Sequence, residues 1–263
     1  MNPDLYEFAK LLPLGFCVGC YGTLVGAGGG SVLVPLLLVL LPDTTSPAAI
    51  TSMSLAVVFF NAYAGTIAYM RMGRIDFAAG ILFTVASLPG AVLGTLLVHT
   101  MPRHLFDLLF GCLLLGIGGW LFSNPLGESD RAEPTGAADE SNRRTLIGSI
   151  GSAYIAVLSS LLGIGGGIIH VPFLIRVLRM PPHTATATSH FVLTFMALAA
   201  TITHVCLKEF QSGLPQTMYL SVGVMMGAPL GATLSTRLKG SLIVRILALA
   251  LCFVGLRLLA RMF

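Results

Sequence analysis

Charged side chains are scarce in this sequence: Asp, Glu, Lys and Arg make up 10% of its 263 residues, whereas 55% are apolar. A soluble domain carries about a quarter charged residues, so this chain lacks the polar surface that a water-facing fold needs. A disordered chain is excluded as well, because it would be rich in charge and poor in apolar groups. The composition therefore predicts a polytopic membrane protein.

Cysteine is also scarce, with five residues that are too few and too deep in apolar runs to build a disulfide framework. Cys17 and Cys20 form a CxxC pair, but no second pair or strand-to-helix context accompanies them. We interpret this pair as small residues at a helix interface rather than as a redox or metal site. No HExxH motif, His-Cys cluster or GxxxxGK[ST] loop occurs, so we expect no metal, no cofactor and no nucleotide.

Basic residues give the chain a formal net charge of +4, but they are spread along the edges of apolar blocks. Nucleic-acid binding needs a clustered basic face, so we expect no nucleic-acid partner. Lys and Arg residues in such places are typical of interfacial anchors and orientation signals in membrane proteins.

The apolar residues fall into eight blocks, which predict an all-α fold because a spanning helix needs about 20 residues. Six of the blocks match one crossing each. The first and the fifth are too long for one straight helix, and a glycine run interrupts each of them, so we expect 8–10 membrane helices with two broken helices. The blocks are 11–41, 46–70, 77–98, 104–122, 146–178, 184–207, 214–236 and 241–259.

The two glycine runs, GAGGG at 26–30 and GIGGG at 163–167, reveal an internal repeat. They are offset by 137 positions, and this offset persists without a gap for some seventy residues. So many matches at one fixed offset predict a duplicated membrane unit. Other positions related by the offset are Pro35 and Pro172, and the pairs Thr51-Ser52 and Thr188-Ser189.

The repeat divides the chain into an N-terminal membrane repeat (1–122), a charged flexible cytoplasmic linker (123–145) and a C-terminal membrane repeat (146–263). Four helices in each half make the repeats parallel, and five make them inverted. The Lys and Arg residues divide ten against five between the two sides in the inverted model, and nine against six in the parallel model. Because the positive-inside rule favours the larger bias, we prefer inverted repeats.

The glycine runs are candidate anion sites. A break in a helix frees backbone N–H groups and creates a helix N-terminus with about half a positive charge. Such an end holds oxyanions without a buried Lys or Arg, although the glycines also suit close helix packing alone. The amides that we expect to bind substrate belong to Gly28, Gly29, Gly30, Gly165, Gly166 and Gly167.

Hydroxyl groups recur beside the breaks in Thr51, Ser52, Thr188 and Ser189. A hydroxyl donates to an anion without the desolvation cost of an ion, so these four residues are candidate substrate ligands. The alternative is that they bond back to a carbonyl of their own helix and bend it.

His170 and His190 are candidates for proton coupling, because an ionisable group inside a membrane span is functional by default and histidine exchanges protons near neutral pH. The first repeat has Leu33 and Met53 at the matching positions, so neutral hydrogen bonding between helices is the alternative. Asn61 lies in a span where it lines a pathway or, as we prefer, joins helices through hydrogen bonds.

Taken together, these motifs resemble the TauE/SafE family of sulfite and organosulfonate exporters. The resemblance covers nearly the whole chain except the linker. The second copy departs from the pattern where Phe210 and Gly213 stand opposite Gly73 and Asp76, which weakens an equivalent role for the loop aspartate. The first copy carries the glycine run, Pro35, Thr51-Ser52, Gly73-x-x-Asp76 and Gly90-x-x-x-Gly94, and the second carries the glycine run, Pro172, Thr188-Ser189 and Gly227-x-x-x-Gly231.

The resemblance implies a carrier of small sulfur-containing anions in a bacterial-type inner membrane, commonly for sulfite, sulfoacetate or related sulfonates. We predict a secondary transporter that exports such an anion by alternating access, with the anion held between the two glycine breaks. The alternatives are a passive anion channel, an uptake carrier for the same anions and a membrane-embedded enzyme, for which no nucleophile-base set is identifiable. We expect membrane lipid and the anion as partners, and a homodimer among the oligomeric states open to the chain.

Overall fold

The computed structural model describes residues 3–41, 45–123, 138–211 and 213–237, and parts of 248–256. Every regular element in this part of the chain is helical, which confirms the predicted all-α class there. The eighth apolar block and residues 124–137 of the predicted linker lie mostly or wholly outside it. The helices are α1 (Pro3–Val25), α2 (Gly30–Leu40), α3 (Pro47–Arg71), α4 (Phe77–Val98), α5 (Arg103–Ser123), α6 (Ala138–Leu161), α7 (Gly167–Arg176), α8 (Pro182–Cys206) and α9 (Leu214–Ser235), with a 3-10 helix at Glu209–Gln211.

Seven of these helices are long and apolar enough to cross a membrane. The exceptions are α2, with 11 residues, and α7, with 10, each too short for one crossing. On the outer faces of α4 and α9, Val85 is 64% exposed and Met226 59%. Such large apolar patches are a liability in water but suit contact with lipid. The chain is a multi-pass membrane protein.

Side-chain caps fix where α3 and α4 begin. Ser46 precedes Pro47, and its Oγ accepts a hydrogen bond from the N–H of Ala49 at 3.2 Å. Asp76 does the same for α4, where its Oδ1 accepts from the N–H of Ala79 at 3.1 Å. These caps satisfy amides that have no partner within their own helix.

The glycine runs 26–30 and 163–167 separate α1 from α2 and α6 from α7. The residue before each short helix lies in the left-handed region, with φ of 81° at Gly29 and 91° at Gly166. A Cβ is unfavourable in this conformation, which accounts for glycine at both positions. No side chain caps either short helix.

Small residues bring α4 against α6 and α9 against α1. A Cβ at Gly94 would collide with the carbonyl oxygen of Val157, and a Cβ at Gly231 with that of Cys20. Close backbone approach of this kind drives helix packing in lipid, where no hydrophobic force acts between helices. Both pairings recur one turn earlier, so that α4 runs parallel to α6 and α9 parallel to α1. The earlier contacts join Gly90 to Ala153 and Gly227 to Phe16.

The first break reverses the chain. The start of α1 lies beside the start of α9, where Nε2 of Gln216 donates to Oε2 of Glu7 at 3.0 Å. The start of α9 follows the end of α8 in the chain. The end of α8 in turn lies beside the start of α3, because Nε2 of His204 in α8 is 3.4 Å from Oγ1 of Thr51 in α3. Because α2 leads into α3, α1 begins and α2 ends at the same end of the molecule, which we call the far end.

The second break reverses the chain at the other end. The start of α8 lies beside the start of α4, where the N–H of Asp76 donates to Oγ1 of Thr188 at 3.1 Å. Helix α6 runs parallel to α4, so α6 begins at the end of the molecule where α4 and α8 begin. Helix α7 leads into α8, so α7 ends at that same end. We call this the linker end, because the predicted linker 123–145 leads to it and includes the first turns of α6.

Helices α3 and α8 form the antiparallel centre of the fold. The apolar window of α3 is 78% buried, whereas that of α5 is 28% buried, so α3 is enclosed by protein while α5 lies at the periphery. Contacts between α3 and α8 run in opposite directions along the two sequences. They join Thr51 to His204 and Thr66 to Thr194 (Oγ1 to Oγ1, 2.9 Å). Beyond the end of α3, Asp76, the N-cap of α4, contacts Thr188.

We predict that the variant Gly94→Ala destabilises the protein, because its new Cβ meets backbone that cannot rotate away. Overpacking of this kind costs about 1–3 kcal/mol. Thermal unfolding in detergent should show a lower midpoint than wild type. The matched control is Gly116→Ala in α5, where a Cβ meets no heavy atom within 4 Å. Equal midpoints for the two variants would contradict the close α4–α6 contact.

Candidate functional site

The two glycine breaks meet in the middle of the molecule. A Cβ at Gly30 would lie 2.7 Å from the carbonyl oxygen of Ile164, and a Cβ at Gly167 would collide with the carbonyl oxygen of Gly26. The start of each short helix therefore packs against the backbone of the other break. Both glycine runs are buried.

One pair of apolar side chains lies against both breaks. Val58 of α3 and Leu193 of α8 both contact Gly28 and Gly165. Val58 and Leu193 are 0% and 1% exposed, and they form a small core of their own with Ala62 and Ala197. The central helices thus hold the two breaks together through a shared apolar contact.

The break amides differ in their hydrogen bonding. The N–H of Gly28 donates to the carbonyl of Gly22 at 3.1 Å, so this amide is occupied. The short helices α2 and α7 begin with the same hydrogen-bond pattern, because the carbonyls of Gly29 and Gly166 accept the first backbone hydrogen bonds of the two helices. Within the described residues, no backbone carbonyl accepts a hydrogen bond from the remaining five amides of the two breaks, which belong to Gly29, Gly30, Gly165, Gly166 and Gly167.

Beside the first break lies a buried amide donor. Asn61 is 0% exposed, and its Nδ2 has no hydrogen-bond partner among the described residues. A Cβ on Gly29 would lie 3.7 Å from this Nδ2. An unpaired buried donor costs about 1–3 kcal/mol, so a group that accepts from it is strongly favoured.

The side-chain oxygen of Asn61 is held by a cluster that we call the Asn61 cluster: Thr23, Asn61, Tyr69 and His190. Oγ1 of Thr23 donates to Oδ1 of Asn61 at 3.1 Å, which leaves the amide NH₂ to face other groups. The hydroxyl of Tyr69 donates to the carbonyl of Thr23 at 2.7 Å. The ring of His190 lies 5.5 Å from that of Tyr69, centroid to centroid, and packs on Gly65.

The second break has hydroxyl groups in place of an amide. A Cβ on Gly166 would lie 3.2 Å from Oγ of Ser159. Oγ of Ser159 and of Ser160 are both buried and without a hydrogen-bond partner among the described residues. Oγ of Ser54 in α3 donates to the carbonyl of Gly163 at 2.7 Å, which links this break to the first repeat.

The four predicted hydroxyl ligands do not gather at one point. Oγ1 of Thr51 and Oγ of Ser52 donate to backbone carbonyls three residues earlier, at 3.1 and 2.8 Å. Oγ1 of Thr188 accepts from the N–H of Asp76 at the linker end. Ser189 is 0% exposed, and its Oγ has no partner in the described part of the chain.

The two predicted histidines occupy different environments. Nε2 of His170 lies 2.9 Å from Oγ of Ser152, and its ring packs between Phe83 and Phe173. Neither ring nitrogen of His190 meets a partner at hydrogen-bonding geometry among the described residues. His190 thus adds to the Asn61 cluster a ring whose nearby backbone acceptor, at Thr186 one turn earlier, is not at hydrogen-bonding geometry. The described residues contain no group of three or more His, Cys, Asp or Glu side chains that could hold a metal ion.

Sequence reasoning placed Asn61 among hydrogen-bonding residues that join helices, and its bond to Thr23 is of that kind. Its free Nδ2 beside Gly29 has no counterpart in the sequence pattern, because the second repeat has Leu198 at the matching position. The feature that could have identified Asn61 as a functional residue is an amide side chain buried in α3, the most enclosed of the candidate spans.

Comparison with known proteins yields a family and several relatives. A family model described as Sulfite exporter TauE/SafE matches residues 11–258. YunE of Bacillus subtilis (strain 168), named a probable membrane transporter protein, is 28% identical over 277 residues, which cover 96% of this chain and 97% of YunE. A probable membrane transporter protein of Xylella fastidiosa (strain Temecula1) is 29% identical over 232 residues, which cover 87% of this chain and 83% of that protein. No solved structure matches the chain.

We predict that the variant Tyr69→Phe lowers stability, because it removes the hydroxyl that supports Thr23 and through it Asn61. A buried hydrogen bond contributes about 0.5–1.5 kcal/mol. The control is Tyr63→Phe in the same helix, where the side chain is 46% exposed. Thermal unfolding should distinguish the two variants, and a Tyr69→Phe midpoint equal to that of the control would contradict the proposed support.

Proposed function

Because the chain belongs to the sulfite exporter TauE/SafE family, we propose that it is a secondary transporter that exports small sulfur-containing anions such as sulfite, sulfoacetate or other organosulfonates. Its relatives are named as membrane transporters, and the chain is a transporter rather than an enzyme. The observation that carries the choice of an anion is the set of buried, unpaired N–H donors at the start of α2.

The proposed anion site lies at the glycine breaks. Amides of Gly29 and Gly30 and Nδ2 of Asn61 all donate, and none of them accepts, so together they favour an oxyanion over a cation. The start of α2 adds the positive end of its helix dipole. The amides of residues 165–167 and the hydroxyls of Ser159 and Ser160 supply matching donors from the second break.

The predicted hydroxyl ligands take unequal parts in this proposal. Oγ of Ser189 has no partner among the described residues, so it can donate to an anion without first breaking a hydrogen bond. Thr51 and Ser52 donate to backbone carbonyls, so they can donate to the anion only if those bonds exchange. Oγ1 of Thr188 accepts from the N–H of Asp76 at the linker end, so its hydroxyl proton stays available to another acceptor. His190 beside Asn61 and His170 beside Ser152 stay predictions as sites of proton coupling.

We further propose that the two halves are inverted repeats. The opposite directions of α3 and α8 support this arrangement, because equivalent helices oppose each other only in inverted repeats. The equivalent contacts Gly94–Val157 and Gly231–Cys20 support it too, since each lies 137 positions from the other. In each half, the break makes a hairpin whose ends face one side.

Alternating access follows from this geometry as a rocking of one half against the other. In the structure the breaks are closed on each other through Gly30 and Ile164 and through Gly167 and Gly26. Entry of an anion between them requires these contacts to part, with Val58 and Leu193 as the apolar seal. Export from a negative-inside cell is favoured by about 2.3 kcal/mol per charge per 100 mV, so no ATP site is needed.

The charge distribution supports a cytoplasmic linker end. Positive side chains concentrate on the cytoplasmic side of inner-membrane proteins, and the described Lys and Arg side chains are more numerous at the linker end. Those at the linker end are Arg71, Arg74, Arg144, Arg176, Arg179 and Arg237, and those at the far end are Lys10, Arg103 and Lys208.

Transport is tested with purified protein in liposomes. Labelled sulfite, sulfoacetate, sulfate and taurine are offered with and without a pH gradient. We expect saturable flux and counter-exchange for at least one sulfur anion. Flux that rises linearly with concentration and shows no counter-exchange indicates a passive channel instead, and inward flux alone indicates an uptake carrier.

The anion site is tested with Asn61→Leu, which removes the amide donor and keeps the size of the side chain. Loss of a hydrogen bond to a charged group costs about 1.5–3 kcal/mol, so we expect anion affinity to fall by about 10- to 100-fold. Tyr63→Phe in the same helix should leave affinity unchanged. Replacing Gly29 or Gly166 by valine should abolish binding as well. Both glycines have a positive φ, so these variants also strain the backbone and test whether its conformation is needed.

Unchanged affinity in Asn61→Leu, in a protein that unfolds at the wild-type temperature, would contradict the assignment of Asn61 to the site. The same titration with Asn61→Asp adds a negative charge at this position. We expect this variant to bind the anion more weakly than Asn61→Leu does, because like charges repel at short range.

The inverted topology is tested by cysteine labelling in a background without the five native cysteines. An impermeant maleimide should reach Arg144→Cys and Arg237→Cys from the cytoplasmic side only. It should reach Thr100→Cys and Lys208→Cys from the opposite side only. Labelling of Arg237→Cys from outside, while Arg144→Cys in the linker is not labelled from that side, would contradict the inverted model.

A further inference from the structure

A row of titratable side chains leads from the far end into the protein, apart from the histidines considered above. At its outer end, Oε1 of Glu209 lies 3.1 Å from Nδ1 of His99. The side chains of His99 and Glu209 are 25% and 22% exposed, so water reaches both of them. His99 caps the end of α4, and Glu209 opens the 3-10 helix after α8.

The row continues inward through His204. This residue is in the last turn of α8 and is 0% exposed. Its ring lies 6.2 Å from that of His99, centroid to centroid, so one intervening water or a ring rotation suffices to pass a proton. On its other side, Nε2 of His204 lies 3.4 Å from Oγ1 of Thr51.

The bonding of Thr51 favours one tautomer of His204. When the hydroxyl proton of Thr51 is donated to the carbonyl of Ala48 at 3.1 Å, its oxygen accepts from His204. This arrangement favours the tautomer of neutral His204 in which Nε2 carries the proton and Nδ1 keeps a lone pair. Nδ1 is buried without a partner in the described part of the chain, which makes it the atom that can receive a further proton.

The inner end of the row reaches the second glycine break. A Cβ on Gly163 would lie 2.9 Å from Cγ2 of Thr51, so Thr51 stands directly between His204 and this break. A positive charge on His204 would act on an anion at the breaks through one side chain and a weakly screening interior. Coulomb attraction is stronger there than in water.

Resting on the proposed anion transport, we propose that His204 binds a proton that the Glu209–His99 pair delivers from the far end and takes back there when the anion leaves, so that export of the anion carries no net proton across the membrane. The proton leaves an N–H of His99, or a water beside it, and adds to Nδ1 of His204, which becomes an imidazolium. The bound proton raises anion affinity at the breaks, and by reciprocity the bound anion raises proton affinity at His204.

Other charged groups at this end are accounted for. From α4, His204 faces His99, and beyond it Glu209 of the 3-10 helix; from α3 it faces Thr51, which does not titrate. Arg103 at the start of α5 is engaged with Asp107 at 3.1 Å and with the carbonyl of Thr45 at 2.7 Å. Lys208 follows α8 and is exposed.

The test measures proton uptake when purified protein binds sulfoacetate in weakly buffered solution near pH 6.5, about where histidine titrates in water. Both acidic groups of sulfoacetate stay ionised there, so the anion itself takes up no proton. We expect wild type to take up as much as about one proton per anion bound, and its affinity to fall by up to about tenfold per pH unit as pH rises.

Three variants separate the roles. His204→Gln keeps a donor for Thr51 and should abolish proton uptake and flatten the pH dependence of affinity. His99→Gln should slow proton uptake several-fold in stopped-flow measurements and leave the equilibrium pH dependence in place. His104→Gln, an exposed histidine of α5, should behave as wild type.

The outcomes are distinguishable. A wild type that binds none of sulfite, sulfoacetate and taurine overturns the proposed function, and this inference with it. Binding without proton uptake, or proton uptake that persists in His204→Gln, overturns this inference alone. Loss of uptake in His190→Gln or His170→Gln, but not in His204→Gln, assigns the bound proton to those histidines instead.

Discussion

The arrangement of this protein depends on one contact, the backbone-to-backbone meeting of two glycine breaks. Gly30 lies on the carbonyl of Ile164 and Gly167 on that of Gly26, and no side chain larger than hydrogen fits at either glycine. Lipid offers no partner for the amides that a broken helix exposes, so such backbone persists only where protein encloses it. The antiparallel pair α3 and α8 supplies that enclosure, and the short helices α2 and α7 start from it.

The same constraint explains why N–H donors without a partner collect at the centre. A glycine in the left-handed conformation precedes each short helix. It interrupts the helical hydrogen bonding of the chain and leaves the first N–H groups of the short helix without a backbone partner. Asn61, oriented by Thr23, adds a neutral donor where a buried Lys or Arg would carry a large desolvation cost. Neutral donors hold an anion less tightly than a buried Lys or Arg would, which under the proposed function suits a carrier that must also release its cargo.

Much of the fold is readable from the sequence because its rules are local or periodic. The apolar blocks predicted the helices, and the glycine runs lie where α2 and α7 begin, since few residues besides glycine adopt the backbone of Gly29 and Gly166. The free amide of Asn61 and the row from Glu209 to His204 were not readable. Each depends on side chains brought together from distant helices. Neither has a counterpart in the other repeat, which has Leu198 at the position matching Asn61 and Ile67 at the position matching His204.

The most direct test of the central claim is nuclear magnetic resonance of protein labelled with ¹⁵N-glycine and titrated with sulfite and sulfoacetate in detergent micelles. The account predicts that the amide resonances of Gly29, Gly30, Gly166 and Gly167 shift with a common saturation curve. The resonances of Gly116 and Gly119, which no neighbouring group approaches within 4 Å of a Cβ position, should stay in place. Saturable shifts confined to glycines outside the two breaks would contradict it.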